Sequence, residues 1–509
     1  MQSITQLHFK PHIFAAKILS PPKVFSPRVR QTRPPAPPPA EASVFAMKRC
    51  RPAEPTYKAA AYITDIEDIN FSAVEVDKIR AFLLEWYDEN QRDLPWRRIS
   101  DGDDNVSTKE KETRAYAVWV SEVMLQQTRV QTVIDYFNRW MEKWPSIHHL
   151  AQATLEEVNE MWAGLGYYRR ARFLLEGAKT IVDGGSEFPK TASSLQKIKG
   201  IGKYTAGAIS SIAFKEAVPV VDGNVVRVLS RLKAISSNPK DSTTVKIIWK
   251  LARQLVDPSR PGDFNQAIME LGATVCNPSG PSCSTCALSL NCQALSLSTN
   301  HKSVQVTDYP MKVVKAKQRH DFSAVSVVEI VEEEGSESNS KYLLVKRPDK
   351  GLLAGLWEFP SVLLEGEVDL ASRRKKIDSF LKRTFGLDMA KSYQIVLREE
   401  VGVFVHVFTH IRLKMYVELL ILRLKGGKIS LKKQDSEAMT WKYVDNKVFS
   451  TSGLTSGVRK VYTMIEKFKQ SAMGPTVQQE QKSSNPTQPL DITYKRFMHG
   501  KFKILGSKA

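Results

Sequence analysis

Four cysteines, Cys276, Cys283, Cys286 and Cys292, fall inside one 17-residue window with the spacing Cys-x6-Cys-x2-Cys-x5-Cys. Thiolates bunched on a single loop can wrap a compact metal centre without help from distant chain segments. An iron-sulfur cubane needs four such ligands. Structural zinc takes four as well, but usually from two Cys-x2-Cys knuckles, and only one is present here. The spacing favours iron-sulfur over zinc, and with no neighbouring residue suited to redox catalysis the centre reads as structural. Five cysteines in 509 residues cannot form a disulfide scaffold, so the bunching points to a reducing compartment.

Two carboxyl groups have the setting for acid and base work. Asp222, in VPVVDGNVVRVLSRL, sits at a natural helix start, where capping is the ordinary task of Asp before Gly and Asn. Glu122, in AVWVSEVMLQQT, lies among Val120, Val123, Met124 and Leu125. Turned outward it is a solvated surface acid. Turned inward its pKa rises, and it becomes a general acid near neutral pH. Between them, LQKIKGIGKYTAGAIS reads as a short helix, a glycine turn at Gly200 and Gly202, and a second helix starting near Tyr204. The amides at the start of that helix suit a phosphate, and Lys199 and Lys203 add charge. An ordinary αα-hairpin with a glycine turn has the same pattern.

These residues need elements to hold them. From 73 to 295 the period is helical: Val76, Ile79, Leu83 and Trp86 share one face, as do Val130, Val133, Ile134 and Phe137. DGDDNVSTKEKET, residues 101–113, is polar and predicts an exposed insertion. Residues 296–320 form a polar, then basic connector. Beyond it the period changes to two in FSAVSVVEIVEE, KYLLVKRP, VGVFVHVFTHIRLKMYVELLILRL and MTWKYVD. Helical spacing returns in DLASRRKKIDSFLKRTFG and at Val458, Val461, Tyr462, Ile465 and Phe468, which makes 321–470 a separate α+β domain. Residues 1–72 read as a basic, Pro-rich disordered arm, and 471–509 as a disordered basic tail.

Lys plus Arg total 74 against 54 Asp plus Glu, a net charge of +20, so a polyanion is the expected partner and an acidic ligand is not. No run of about 18 uncharged apolar residues exists to cross a bilayer. The first forty residues carry no acid at all and fit either an organellar transit segment, mitochondrial or plastid, or a Pro-rich arm. Met47 heads the cluster KRCR, which fits a nuclear address or a solvated basic patch.

The glycine hairpin, the Asp on the following helix and the four-cysteine loop together resemble the helix-hairpin-helix DNA glycosylases of the endonuclease III superfamily. Within it, SEVMLQQT, WAGLGYYRRAR, KGIGKYTAGAI, VDGNV and FNQAIMELGATVC look like the MutY-type adenine DNA glycosylases over nearly all of 73–295. GLLAGLWEFP followed by FTH at 408–410 resembles the Nudix-like domain that, in this family, inspects 8-oxoguanine.

The resemblance implies an all-α glycosylase domain with a 4Fe-4S loop on the four cysteines, then a Nudix-like α+β domain. It implies a monomer acting on double-stranded DNA that carries adenine opposite 8-oxoguanine or guanine, in the nucleus, with repair or replication partners drawn to the connector and tail. Glu122 would protonate the leaving adenine, and Asp222 would stabilise the positive charge on the sugar, with Asn224 holding the site in register. Tyr204 stands where strand-cutting relatives carry the Schiff-base lysine. A phenol cannot form an imine, so a monofunctional enzyme is expected, with Tyr204 supporting the transition state. Gln127 and Tyr167 match residues that enter the base stack, flanked by Leu125 and Thr128, and Arg97 matches one near the flipped base. Gly200, Gly202 and Lys203 would grip the backbone. Phe408, Thr409 and His410 would read the lesion, with the Thr409 hydroxyl accepting from the new N7 hydrogen of 8-oxoguanine.

Three departures stand out. Lys199 replaces a common Pro in the hairpin, and Thr409 replaces the usual bacterial Ser. The helix that would hold magnesium in a Nudix hydrolase reads ASRRKKIDSFLKR, so nucleotide hydrolysis is not expected. QPLDITYKRF in the tail has a loose likeness to a sliding-clamp motif, but Asp491 and Lys495 break its spacing. The alternatives weighed are another glycosylase of the same superfamily and a catalytically silent damage sensor.

Overall fold

The computed structural model describes residues 66–98, 107–185, 187–313, 317–331, 340–348, 351–387, 393–424, 439–445, 449 and 454–472. The transit-like segment, the KRCR cluster and the clamp-like tail segment lie outside the described residues.

Twelve helices among the described residues precede the first strand: α1 (Ala73–Asn90), α2 (Thr108–Leu125), α3 (Val130–Lys143), α4 (Ile147–Ala151), α5 (Leu155–Trp162), α6 (Arg169–Asp183), α7 (Ala192–Leu195), α8 (Lys203–Phe214), α9 (Gly223–Leu232), α10 (Ser242–Leu255), α11 (Pro261–Thr274) and α12 (Gln293–Asn300). They build two cores. The first gathers α2 to α8 around α2, whose residues Ala115 to Met124 are all buried. A helix apolar on every side belongs at the centre of a lobe, and α2 lies there against the small-residue face of α8. The second core joins the N-terminal α1, through Ile79, Leu83 and Tyr87, to α9, α10 and α11. The chain thus returns to its own beginning, and a cleft opens between the lobes.

Several boundaries differ from the sequence-based ones. The helical domain begins before 73: Phe71 is buried in the second core, and Ser72 caps α1. Residues 108–113, expected in an exposed insertion, are the first turns of α2, where the Ser107–Glu110 capping box overrides the missing apolar period. The connector is shorter than 296–320. α12 runs to Asn300, and Val306 is buried in a 3-10 turn at Val306–Asp308.

The second domain is one seven-stranded mixed sheet: β1 (Arg319–Val331), β2 (Lys341–Lys346), β3 (Trp357–Glu358), β4 (Ser361–Leu364), β5 (Tyr393–Val407), β6 (Ile411–Leu424) and β7 (Trp441–Asp445). Its path is β3-β2-β1-β6-β5, with β4 on β1 and β7 on β2. Over 323–331 of β1 and 417–422 of β6 the long parallel pair is buried on both faces. Ala324, Val328 and Ile330 face α13 (Leu370–Phe385), while Val325, Val327 and Val331 face α14 (Ser456–Ala472). This period-two alternation places a helix on each face. The long apolar run expected as strand is divided: FTH forms the turn between β5 and β6, so Thr409 is a turn residue. β3 and β4 are too short to show a period, and sequence reasoning missed them.

The sheet domain is fastened to the first helical lobe. Leu356 is 2% exposed within that core, Lys346 Nζ meets Glu156 Oε1 at 2.9 Å, and Arg172 Nη2 donates to the Ala354 carbonyl at 3.2 Å. Among the described residues no helix is long and apolar enough to cross a membrane.

Candidate active site

The cleft between the lobes has a volume of about 640 Å³ and is lined from α1, α2, α8, α9 and α11. It brings together Glu122, Tyr204, Asp222, Asn224, Arg97, Leu125, Gln127 and Thr128, which are scattered over more than a hundred residues of sequence.

Glu122 points inward. It is 7% exposed, and the Tyr204 hydroxyl donates to its Oε2 at 2.6 Å. Burial pushes its pKa up to about 7; the Tyr204 bond opposes that, the charge of Asp222 adds to it, and Arg97 reduces it. Tyr204 itself is held neutral, its pKa well above 10 through burial and the neighbouring carboxylates. It sits in the first turn of α8, two residues after the cap at Gly202.

Asp222 performs two tasks. Its Oδ1 caps α9 by accepting from the Val225 amide at 2.8 Å, and its Oδ2 accepts from Asn224 Nδ2 at 2.8 Å. Burial raises its pKa, while the bonds from Val225 and Asn224 counter that rise. Asn224 is braced in turn: its Oδ1 accepts from Arg227 Nη2 at 2.8 Å, and Arg227 Nε donates to the Cys276 carbonyl at 2.8 Å. A Cβ at Gly272 would stand 2.7 Å from Asn224 Cβ, so glycine is what lets α11 press against this site. Sequence reasoning missed Arg227, although its place three residues after Asn224, on the same helix face, was a usable signal.

Arg97 does not point freely into the cleft. It binds Glu270 Oε2 at 2.9 Å, Gln266 Oε1 at 3.2 Å and the Arg92 carbonyl at 2.9 Å. Glu270, 2% exposed, also accepts from Arg92 Nε at 2.5 Å. Burial would raise its pKa, but the two arginines more than offset that and keep it low. Gln266 and Glu270 went unselected. Their spacing of four on α11 faces them alike, yet nothing local marks that face as the cleft.

The hairpin is partly as expected. Gly200 has φ +92°, and a Cβ there would meet Phe173 Cβ at 2.6 Å, so only glycine fits. Gly202 has φ −86° with open space around it; its lack of a side chain leaves the first amides of α8 uncovered. Lys203 Nζ lies 3.6 Å from the centre of the Trp249 ring. Lys199, expected to make the turn more basic, is paired with Glu176 at 2.7 Å, which neutralises much of that charge.

The four cysteines are half-buried, three of them against the second core, and none lines the cleft. Burial raises the Cys283, Cys286 and Cys292 thiols, Cys286 to about 11, and neighbouring cysteine sulfurs push each further. Among the described residues no group of three or more His, Cys, Asp or Glu side chains stands in a metal-holding arrangement. The surroundings nevertheless suit an anionic thiolate centre. Arg231, 2% exposed, reaches Cys276 Sγ at 3.1 Å, and its other acceptors are neutral carbonyls of Cys276, Asn277, Pro278 and Tyr309. A buried guanidinium with no carboxylate partner among the described residues gains from negative charge beside it.

Tyr167 and the β5–β6 turn meet outside the cleft. The Tyr167 and Thr409 hydroxyls are 2.5 Å apart, although 242 residues separate them. The turn is held by Phe408 N to the Ile411 carbonyl at 2.8 Å, by Gln318 Nε2 to the Phe408 carbonyl at 2.8 Å, and by Arg319 N to the His410 carbonyl at 3.0 Å. On α13, Arg373 pairs with Glu400 at 2.7 Å, Arg374 with Glu418 at 2.5 Å, and the carboxylate of Asp378 with Arg398 at 2.9 Å.

Comparison with known proteins agrees with this geometry. Residues 120–254 match the HhH-GPD superfamily base excision DNA repair protein family, and residues 336–464 match the NUDIX domain. An adenine DNA glycosylase of Arabidopsis thaliana is 58% identical over 440 residues, covering 82% of this chain and 69% of that protein. The mouse adenine DNA glycosylase is 42% identical, covering 78% of this chain and 79% of that protein, and the human one 41%, covering 77% and 74%. With this much of its length shared, the chain belongs to the adenine DNA glycosylase family, DNA N-glycosylases of base excision repair.

Proposed function

We propose that the enzyme hydrolyses the N-glycosidic bond of adenine paired with 8-oxoguanine or guanine in duplex DNA and leaves an abasic site without cutting the strand. The observation that carries this is the pairing of a protonatable Glu122, with a pKa of about 7, and Asp222 in one cleft. Glu122 donates its proton to a ring nitrogen of adenine as the C1′–N bond breaks, and the bonding electrons leave with the neutral base. The ionised Asp222 faces the positive charge left on the sugar. Water then adds to C1′, and its proton passes to a carboxylate. Tyr204 offers a phenol where an imine would need an amine, which supports release of an intact abasic strand.

Selectivity for 8-oxoguanine is assigned to Thr409 in the β5–β6 turn, with Gln127 and Tyr167 entering the stack. We assign the four cysteines to a 4Fe-4S cluster with a structural part; zinc is the competing occupant, and iron and acid-labile sulfide analysis of the purified protein decides between them. We place the enzyme in the nucleus, with the connector and tail open to repair partners. The deciding assay is a duplex with one adenine opposite 8-oxoguanine. Cleavage only after alkali supports the proposal, cleavage without alkali contradicts monofunctionality, and no cleavage at all leaves a damage sensor.

A further inference from the structure

Gln127 and Tyr167 are both held in the left-handed backbone region, at φ +59° and +48°. Such a conformation costs a non-glycine residue on the order of 1 kcal/mol, so something must hold each turn in place. One side chain does so for both. Arg170, on the first turn of α6, donates through Nη1 to the carbonyls of Val123 at 2.7 Å, Met124 at 3.0 Å and Gln126. Through Nη2 it donates to Thr128 Oγ1 at 3.3 Å and to the carbonyls of Leu165 at 3.4 Å and Gly166 at 3.3 Å. The Nη1 bonds close the unsatisfied carbonyl end of α2 immediately before Gln127, the Thr128 bond holds the residue after it, and the Leu165 and Gly166 bonds grip the turn immediately before Tyr167. The guanidinium also lies 5.4 Å from the Tyr167 ring centre. All six acceptors are neutral, and burial lowers the pKa of Arg170 to about 10, so the group remains charged at neutral pH.

We infer that Arg170 is a positioning residue that sets Gln127 and Tyr167 as one two-pronged wedge, so that both enter the duplex together when adenine is taken out. A planar fork is needed for this. A lysine ammonium in the same place is a point charge that can serve one turn but cannot bridge two. The inference rests on the proposal that Gln127 and Tyr167 enter the stack.

The test uses the full chain and two substrates: adenine opposite 8-oxoguanine in a continuous duplex, and the same adenine in an unpaired bubble, already out of the stack. Single-turnover excision is measured for wild type, Arg170→Lys, Gln127→Ala, Tyr167→Leu and the Arg170→Lys/Tyr167→Leu double variant, with thermal unfolding as a check on the fold. Arg170→Lys is expected to lose about ten- to a hundredfold on the duplex, the scale of a small misplacement, while keeping its bubble rate within about twofold. Its duplex loss should be less than additive with that of Tyr167→Leu. Equal loss on both substrates, an unchanged duplex rate, or full additivity overturns the inference. If Gln127→Ala and Tyr167→Leu leave the duplex-to-bubble ratio unchanged, the wedge itself is wrong and the inference falls with it. If they change the ratio and Arg170→Lys does not, only the bracing role is lost.

Discussion

Each domain buries glutamates, and Glu418 and Glu122 are surrounded in opposite ways. In the sheet domain Glu418, 8% exposed, lies between Arg374 at 2.5 Å and Arg398 at 2.8 Å. Glu329, 1% exposed on β1, meets Lys469 at 2.8 Å. In the helical domain Glu122 is as deeply buried but has a neutral phenol as its hydrogen-bond donor and a second carboxyl nearby. Burial beside a cation leaves a carboxylate to hold elements together. Burial without a cation in hydrogen-bonding contact moves the proton affinity into the range where a carboxyl group can give its proton away. Even within the cleft the contrast holds, since Glu270 is buried but paired with two arginines and kept ionised.

Exchanging carboxylate for amide at each site breaks this comparison most sharply. Glu122→Gln should lose about two to four orders of magnitude in single-turnover excision while still binding DNA in a gel-shift assay. It should also stabilise the fold at high pH. A carboxyl whose folded pKa is raised contributes full stability below its unfolded value near 4.5 and loses it as pH rises through about 7. Thermal unfolding at pH 8 should therefore favour Glu122→Gln by on the order of 3 kcal/mol at most, and the gain should vanish below pH 4.5. Glu418→Gln should instead destabilise the fold at pH 7, by about 3 kcal/mol, because it leaves two arginines without their counter-charge, with excision unchanged in the surviving fold.

The next effect is on pH dependence. With Glu122 as the acid, the excision rate should fall about tenfold per pH unit above about 7. Tyr204→Phe removes a bond that favours the ionised form, so the alkaline limb should move to higher pH even if the maximal rate drops. A limb that moves to lower pH, or does not move, would remove Tyr204 from control of that proton.

Smaller effects test the two surfaces proposed to face DNA. Thr409→Val should narrow the preference for adenine opposite 8-oxoguanine over adenine opposite guanine by up to about tenfold, the worth of one hydrogen bond. An unchanged ratio would take the reader role from Thr409. Lys203→Ala should weaken binding to all duplexes alike and lower the slope of log K against log salt by about 1, since one phosphate contact is lost.

Local features were legible where chemistry depends on neighbours in sequence. The helical face of α1, the two-residue period of β1 and β6, the left-handed Gly200 and the capping of α9 by Asp222 follow from spacing and residue type. The Ser107 start of α2 is hidden because a capping box competes with a missing apolar period, and FTH reads as strand because its flanks alternate without a break. Arg227, Gln266, Glu270 and Arg170 were invisible for another reason: each acts through partners on other elements, and a single sequence does not say which helix faces will meet.

By itself the sequence determined the chemical inventory of this protein: two carboxyl groups, a phenol in place of an amine, a glycine hairpin and four thiols on one loop. All of these are properties of residue type and short spacing. Only the tertiary structure decided what state that inventory is in. Glu122 holds its proton up to about pH 7 because the packed lobes bury it and α9, 100 residues away, brings a second carboxyl, which together outweigh the Tyr204 bond and the charge of Arg97. Thr409 stands beside Tyr167 because the sheet domain is fastened to the first helical lobe. Proton affinity and proximity are set by everything packed around a group, and that packing is a property of the folded chain as a whole.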